Sequence, residues 1–145
     1  MRLSSVRALI VSAGTCLLVG AGSAVVTVTS VKEWYPRIQK PAWTPPDAVF
    51  GPVWTALFLL MGVSAWLVWR DSAGSARRRA IGIFSLQLVL NGAWSFIFFG
   101  LHRPGWAALE IVVLWSAIVA TLLVPYLMWV SFAAALNMAI WRANR

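Results

Sequence analysis

Long apolar runs without a charged residue constrain this chain more than any other feature of its sequence. Residues 8–31 form a run of 24, and runs of 22 residues follow at 48–69 and 80–101. At about 1.5 Å per residue, a 22-residue α-helix extends roughly 33 Å, which is enough to cross the hydrocarbon core of a bilayer. Hydrophobic residues make up 61% of the 145 residues and charged residues only 11%, a composition outside the range of soluble domains. The sequence predicts an all-α, multi-pass integral membrane protein with a single transmembrane domain, residues 1–145.

The last apolar run, residues 106–141, is too long for a single span. Its 36 residues would extend about 54 Å as one helix, whereas the bilayer core is about 30 Å thick. Pro125 lies inside the run and breaks an ordinary helix. We therefore expect two short helices with a short or missing linker between them, and a bundle of five transmembrane helices. The predicted helices are about 8–31, 48–69, 80–101, 106–121 and 122–141, with a proline-rich loop at 32–47.

The first apolar run is preceded by two arginines, an arrangement that is also found in signal peptides. The run is longer than the apolar region of a signal peptide, so we interpret it as an uncleaved first transmembrane helix. Ser12, Cys16, Gly20 and Ala24 follow one another at four-residue spacing, which gives the helix one smooth face for close packing against another helix. Cys16 is the only cysteine, and we interpret it as a packing residue.

The segment from Trp34 to Thr55 contains five of the seven prolines of the chain. Each proline fixes φ and removes an amide donor, so we expect an ordinary α-helix in this segment only after Pro46. The large flat side chains of the segment suit the edge of a membrane or the wall of a pocket for a flat apolar ligand.

Polar side chains inside the apolar runs are candidates for a functional role. Ile83, Gln87, Asn91 and Ser95 form a four-residue ridge that contains three polar side chains. Such a ridge indicates either interhelical hydrogen bonds or a binding site, and both interpretations stay open here. Glu110 is a lone carboxylate near the start of the last run, and we interpret it as structural, with its side chain extending to the interface.

The net charge of +8 resides in short basic clusters at the ends of the apolar runs. This placement indicates orientation in a membrane rather than nucleic-acid binding. Residues 70–79 carry four arginines and one aspartate, which predicts an exposed turn. With five spans the two sides of the membrane carry six cationic residues each, and with four spans they carry eight and four. The charge rule alone thus favours four spans, against the length argument.

The sequence resembles the translocator protein family, also called tryptophan-rich sensory proteins or, in mitochondria, the peripheral benzodiazepine receptor. The residues that carry the resemblance extend over nearly the whole chain: Trp34-Tyr35, Lys40-Pro41, Trp43, Pro45-Pro46, Phe50, Pro52, Trp54-Thr55, Gln87, Asn91, Trp94-Ser95, Phe98-Phe99, Pro125-Tyr126, Trp129, Phe132-Ala133 and Leu136-Asn137. The resemblance implies a five-helix transmembrane bundle, usually a homodimer. It also implies binding of porphyrins, haem and benzodiazepine-type or isoquinoline ligands in a pocket that the loop after the first helix closes.

Carried over from the family, the ligand-binding residues are Trp43, Pro45, Trp54, Phe58, Asn91, Trp94, Tyr126, Trp129 and Ala133. Two departures from the family pattern stand out. The polar linker between the fourth and fifth helices is short or missing, and residues 136–142 lack the tyrosine of the sterol-recognition pattern. We therefore expect no strong sterol specificity.

No catalytic or metal-binding constellation is evident in the sequence, and the single histidine, His102, is expected to face solvent rather than to ligate haem iron. Together with the resemblance, the sequence favours a membrane receptor, sensor or transporter for porphyrin-type tetrapyrroles. The resemblance also implies an alternative, a slow photo-oxidative enzyme that degrades porphyrins with Trp54 and Trp129 taking part, and the other alternative is a membrane scaffold without a ligand. We expect no cofactor other than porphyrin or haem as a ligand. The expected partners are membrane lipids and a second copy of the chain, with no nucleic acid. The expected location is a bacterial cell envelope, in the inner membrane.

Overall fold

The computed structural model describes the backbone of residues 3–121 and 124–144, and the side chains of residues 3–119 and 129–144. In this part of the chain there are five α-helices and no strand. The helices are α1 (Leu3–Glu33), α2 (Asp47–Asp71), α3 (Gly74–Ser95), α4 (Pro104–Thr121) and α5 (Val124–Ala143). A π-helical turn, Phe96–Gly100, extends α3. The prediction of an all-α fold with five helices is confirmed.

Among the described residues, three helical segments are long and apolar enough to cross a membrane: Leu3–Glu33, Asp47–Asp71 and Gly74–Gly100. A shorter apolar helix covers Pro104–Val119. The linker between α4 and α5 is short, because α4 ends at Thr121 and α5 begins at Val124.

The proline-rich loop is shorter than the predicted range of residues 32–47. Helix α1 continues to Glu33, and α2 begins at Asp47, directly after Pro46. The loop thus covers residues 34–46 and includes a short 3₁₀ turn, Tyr35–Arg37. Two consecutive prolines exclude a helical conformation just before α2, which accounts for the point at which that helix begins.

The predicted turn at residues 70–79 is exposed over most of its length, as expected, but it is much shorter than predicted. Helix α2 continues to Asp71 and α3 begins at Gly74, so only two residues connect them. Gly74 has a φ of 56°, a left-handed conformation that glycine adopts without strain and that lets the chain reverse within this short connection. The arginines at 77–79 lie in the first turns of α3, in keeping with the high helix propensity of arginine.

Small residues let α1 pack closely against α2. A Cβ atom added to Gly62 of α2 would lie 2.5 Å from Cα of Ala13. On α1, a Cβ atom at Gly20 would lie 2.6 Å from the Phe58 ring. Cys16 lies on α1 between Ala13 and Gly20 and is buried in a core that includes Leu57 and Met61. The smooth face predicted for α1 therefore packs against α2 along part of its length.

Two connections of the bundle and the C-terminal end of α5 meet at one end, which we call the loop end. There the C-terminal turn of α1 contacts the turn between α3 and α4, because Ser30 Oγ lies 3.0 Å from His102 Nε2 and also donates a hydrogen bond to the carbonyl of Phe99. The proline-rich loop contacts the end of α5, where the amide of Gln39 donates to Asn144 Oδ1 at 3.0 Å. These contacts hold the ends of α1, α3 and α5 beside the loop.

Candidate functional site

A cavity of about 660 Å³ lies between α1, α2, α3 and α5 in the half of the bundle nearest the loop end. Its volume falls in the range of about 300–1,000 Å³ that is typical of small-molecule sites. Most of the lining is apolar, and eight aromatic side chains contribute to it: Tyr35, Phe50, Trp54, Phe58, Trp94, Phe98, Phe99 and Trp129. We call this space the aromatic cavity.

One wall of the aromatic cavity is a cluster of rings from α2 and α5. Phe50, Trp54 and Phe58 follow one another at four-residue spacing, so α2 presents all three on one face. The Trp129 ring packs edge to face against Phe50 at 5.9 Å and against Trp54 at 6.3 Å between centroids. Ala133 lies one turn after Trp129 and leaves room beside the indole.

A second wall comes from the end of α3 and its π-helical turn. Trp94 stacks on Phe98 with 5.3 Å between ring centroids and 20° between planes. Phe99 packs against the edge of Phe98 at 4.8 Å. Tyr35 completes this wall from the loop, at 5.9 Å from Phe99. The flat faces and edges of these rings suit a planar apolar ligand.

Three buried polar residues, Asn91, Ser95 and Asn137, also line the aromatic cavity. Asn91 and Asn137 are only 3% and 2% exposed. Neither amide atom of Asn137 has a hydrogen-bond partner among the residues that the structure describes. The indole nitrogens of Trp94 and Trp129 are likewise buried without a partner there. Buried polar groups without partners are uncommon, and functional sites are one of the places where they occur.

The four-residue ridge of α3 (Ile83, Gln87, Asn91 and Ser95) contributes both to helix packing and to the cavity, the two roles that the sequence left open. Gln87 is buried against α2, and its amide nitrogen lies 3.7 Å from Met61 Sδ. Gln87 is not among the lining residues, whereas Asn91 and Ser95 are. The first residue of the ridge, Ile83, is exposed. One end of the ridge thus contributes to helix packing and the other end to the cavity.

The structure brings six of the nine predicted ligand-binding residues to the aromatic cavity: Trp54, Phe58, Asn91, Trp94, Trp129 and Ala133. Trp43 and Pro45 are not among its lining residues. Trp43 is 51% exposed and packs edge to face on Phe132 of α5 at 5.8 Å. The loop therefore runs along α5 at this point, and it reaches the cavity through Tyr35. The side chain of Tyr126 lies outside the described residues.

Sequence reasoning missed the contribution of α1 to the aromatic cavity. Gly20 and Ala24 of its small-residue face line the cavity, together with Thr27 one turn later. Ala24 and Gly51 of α2 both line the cavity and are both exposed. The four-residue spacing from Phe50 to Trp54 was a signal that could have added Phe50 to the predicted site.

The loop end of the aromatic cavity carries charge. Lys32 in the last turn of α1 and Asp47 at the start of α2 both line it and are both exposed. Burial, and to a smaller extent the nearby Asp47 carboxylate, raises the pKa of Tyr35 to about 12. The Tyr35 phenol is therefore neutral and protonated at physiological pH.

The helix α4 carries a carboxylate that does not belong to the aromatic cavity. Both carboxylate oxygens of Glu110 are buried and lack a hydrogen-bond partner among the described residues, so the predicted extension of this side chain to the interface is wrong. The register of α4 against α5 accounts for this. Trp115 Nε1 donates to Ser131 Oγ at 2.8 Å, and Gly105 packs against Trp141. Antiparallel helices in this register place Glu110 opposite α5 and not at a helix end.

His102 is exposed, as predicted, and has a defined structural role. Its ring stacks on Trp34 with 4.5 Å between centroids and 22° between planes. It is not among the residues that line the aromatic cavity. Within the described residues, no group of three or more histidine, cysteine or acidic side chains is placed to hold a metal ion.

Comparisons of the sequence with a family model and with known proteins all indicate the same family. The sequence model of the TspO/MBR family matches residues 12–142. The chain is 39% identical to the Translocator protein of Homo sapiens, over 77% of this chain and 75% of the human protein. It is 36% identical to the Tryptophan-rich protein TspO of Archaeoglobus fulgidus, over 94% and 96% of the two chains. With the Tryptophan-rich sensory protein of Cereibacter sphaeroides the identity is 34%, over 86% and 85%.

These matches cover most of the chain, including the helices that form the aromatic cavity, and they confirm the resemblance seen in the sequence. The apolar helices agree with a membrane location. The chain belongs to the TspO/MBR family of helical membrane proteins.

Proposed function

We propose that this protein is a membrane receptor, sensor or transporter that binds a porphyrin-type tetrapyrrole in the aromatic cavity. The observation that carries this proposal is the cavity itself, a mostly apolar space of about 660 Å³ with eight aromatic rings in its walls. A porphyrin is a flat, apolar macrocycle with a large π-face, and stacked or edge-on indole rings are well suited to hold it. Benzodiazepine-type and isoquinoline ligands, which are also flat and aromatic, fit the same description.

Binding would depend on ring contacts rather than on a bond to a metal centre. Trp54 and Trp129 form one wall, and Trp94 with Phe98 forms the other. Asn91 supplies a polar group near these rings. His102, the single histidine, is engaged with Trp34 and Ser30 outside the cavity. A haem iron would thus find no histidine ligand in this site.

Exposed small residues in the cavity lining support entry of the ligand from the bilayer. Ala24 of α1 and Gly51 of α2 both line the cavity and are both exposed. A tetrapyrrole dissolved in the membrane could pass between the two helices without entering water. We place the protein in the inner membrane of a bacterial cell envelope, where helical bundles are the expected architecture.

A sensory role is supported by the similarity of the chain to a relative that is named for such a role. The Cereibacter sphaeroides protein is named a tryptophan-rich sensory protein. Ion-coupled transporters usually place charged residues along the substrate pathway within their spans. Glu110 is buried within α4 but does not line the aromatic cavity, and among the described lining residues charge occurs only at the loop end. We therefore favour ligand binding with a regulatory output over ion-coupled transport.

A second candidate function is slow, light-driven breakdown of the bound porphyrin with dioxygen as the oxidant. The contact that favours it is that between Trp54 and Trp129, two oxidisable indoles whose centroids lie 6.3 Å apart in the wall of the cavity. If these side chains take part, light-dependent loss of porphyrin absorbance disappears in Trp54→Phe. An unchanged rate in this variant would remove the enzyme hypothesis and leave the binding function intact.

The test of the binding function is a titration of the detergent-purified protein with protoporphyrin, followed by quenching of tryptophan fluorescence. Saturable quenching that weakens in Trp129→Ala supports binding in the aromatic cavity. Quenching that rises linearly and is the same in both proteins would mean that the porphyrin dissolves in the detergent, and a scaffold without a ligand would then be the better account.

A further inference from the structure

The charged end of the aromatic cavity indicates which kind of flat ligand it takes. Lys32 is the only cationic side chain that lines the cavity within the described part of the chain. It extends from the last turn of α1, where three residues of the same cavity, Val28, Val31 and Tyr35, lie close in sequence. No ion pair joins Lys32 to Asp47 or to Glu33. The ammonium group of Lys32 is therefore available to a ligand.

The other cations at the loop end do not line the cavity. Lys40 Nζ donates to the carbonyl of Tyr35 and lies 4.4 Å from the centroid of the Tyr35 ring. Arg37, Arg103 and Arg142 are exposed and absent from the lining. Together with Lys32 they give the loop end five cationic side chains, against the carboxylates of Glu33 and Asp47. The electrostatic potential at this end thus favours an anion.

We infer that the aromatic cavity takes an amphipathic ligand with a carboxylate, whose flat body lies between the tryptophans and whose carboxylate pairs with Lys32 at the loop end. This inference rests on the proposed function, and it adds the orientation and the chemical class of the ligand. An isolated carboxylate deep in the bundle would lose its hydration without a compensating partner. At the end of α1 the carboxylate keeps its contact with water and gains a charge-assisted hydrogen bond from the lysine.

Asp47 is expected to affect binding of a ligand carboxylate in the opposite direction to Lys32. Its carboxylate lines the same end of the cavity and is close enough to Tyr35 to raise the pKa of the phenol. It therefore repels a ligand carboxylate that pairs with Lys32. Removing the charge of Asp47 strengthens binding of such a ligand, whereas removing the charge of Lys32 weakens it.

The test compares protoporphyrin, which carries two carboxylates, with its dimethyl ester, which has the same macrocycle and no charge. Both are titrated into detergent-purified wild-type protein, Lys32→Gln, Asp47→Asn and Arg103→Gln. Arg103 is the matched control, because it is a cationic residue at the same end that does not line the cavity.

For protoporphyrin we expect Lys32→Gln to raise Kd about fivefold, Asp47→Asn to lower it by roughly twofold to fivefold, and Arg103→Gln to change it by less than about twofold. The dimethyl ester binds all four proteins with nearly the same Kd. Its retained binding also demonstrates that each variant is folded. Added salt weakens binding of protoporphyrin to the wild type and leaves binding of the ester unchanged.

Two other outcomes separate this inference from the function on which it rests. If the wild type binds both porphyrins saturably and Lys32→Gln affects them equally or not at all, the carboxylate does not pair with Lys32, and only the inference is overturned. If neither porphyrin binds the wild type saturably, the proposed function fails and the inference fails with it.

Discussion

Trp54 of α2 and Trp129 of α5 meet edge to face across the bundle, with 6.3 Å between ring centroids and 88° between ring planes. The two helices are joined here mainly by aromatic side chains, because Phe50 also contacts Trp129 at 5.9 Å. These ring contacts form one wall of the space between the helices. The size and chemistry of the aromatic cavity follow from them.

Filling the space beside Trp129 is expected to block the ligand. Ala133 lies one helical turn after Trp129 and lines the cavity, so Ala133→Leu places three more carbon atoms in it. These atoms occupy space that the ligand would fill, and a loss of about 1 kcal/mol of binding free energy raises Kd about fivefold, so we expect a rise in porphyrin Kd of at least about fivefold. Titration of Ala133→Leu beside Ala135→Leu, which alters an exposed position on the same helix, measures the effect. Equal affinities in the two variants would place the ligand elsewhere.

Iron in the macrocycle is expected to have little influence on affinity. The described residues that line the cavity include no histidine, cysteine or methionine, and the phenol of Tyr35, with a pKa raised to about 12, stays protonated. The site therefore depends on stacking and not on axial ligation. Free-base and iron(III) protoporphyrin should therefore bind with Kd values within about threefold of each other. Absorbance and fluorescence titrations of both forms provide the measurement. A large preference for the iron form, with a shifted Soret band, would require an axial ligand and would refute the stacking account.

Replacing Glu110 is expected to stabilise the protein. Its two carboxylate oxygens are buried and without a hydrogen-bond partner in the described structure, and an unpaired buried polar group costs about 1–3 kcal/mol. Methionine is similar in length and unbranched, so Glu110→Met should raise the thermal midpoint in detergent. The control is Glu33→Met, which alters an exposed carboxylate at the end of α1 and should leave the midpoint nearly unchanged. A lower midpoint for Glu110→Met would show that the carboxylate contributes to stability.

Close packing of α1 against α2 makes Gly62 intolerant of any side chain. A Cβ atom at this position would lie 2.5 Å from Cα of Ala13, so the two helix backbones must separate to admit it. We expect Gly62→Ala to destabilise the protein by about 1–3 kcal/mol. At Gly22, on the same pair of helices, an added Cβ meets no atom within 4 Å, and alanine there should be neutral or stabilising by up to about 1 kcal/mol. Thermal unfolding of the two variants gives the comparison, and equal midpoints would contradict the close crossing.

The number of helices could be predicted from the sequence because it follows from local rules. Uncharged runs near 22 residues match the thickness of a bilayer, and Pro125 lies where the longest run has to be divided. The turn between α2 and α3 could not be predicted in the same way. Its arginine-rich composition is typical of an exposed loop, whereas the left-handed conformation of Gly74 allows the reversal within two residues.

The helical part of the candidate site was also accessible to sequence reasoning, and its loop part was not. Trp54 and Phe58 lie on one face of α2 by spacing alone, and both line the cavity. The positions of Trp43 and Pro45 depend on contacts between residues far apart in sequence, such as that of Trp43 with Phe132. The hydrogen bond between Gln39 and Asn144 likewise joins residues that are far apart in sequence. No local pattern encodes such contacts, so the path of the loop emerges only in the folded chain.

The central claim is that a porphyrin binds between the aromatic walls, and fluorescence titration with protoporphyrin tests it most directly. The wild type is compared with Trp129→Ala and with Trp106→Ala, a control that removes an indole 67% exposed on α4. We expect saturable quenching with a micromolar midpoint in the wild type and in the control, and a midpoint at least about tenfold higher in Trp129→Ala. Linear quenching that is indifferent to both substitutions would contradict the account.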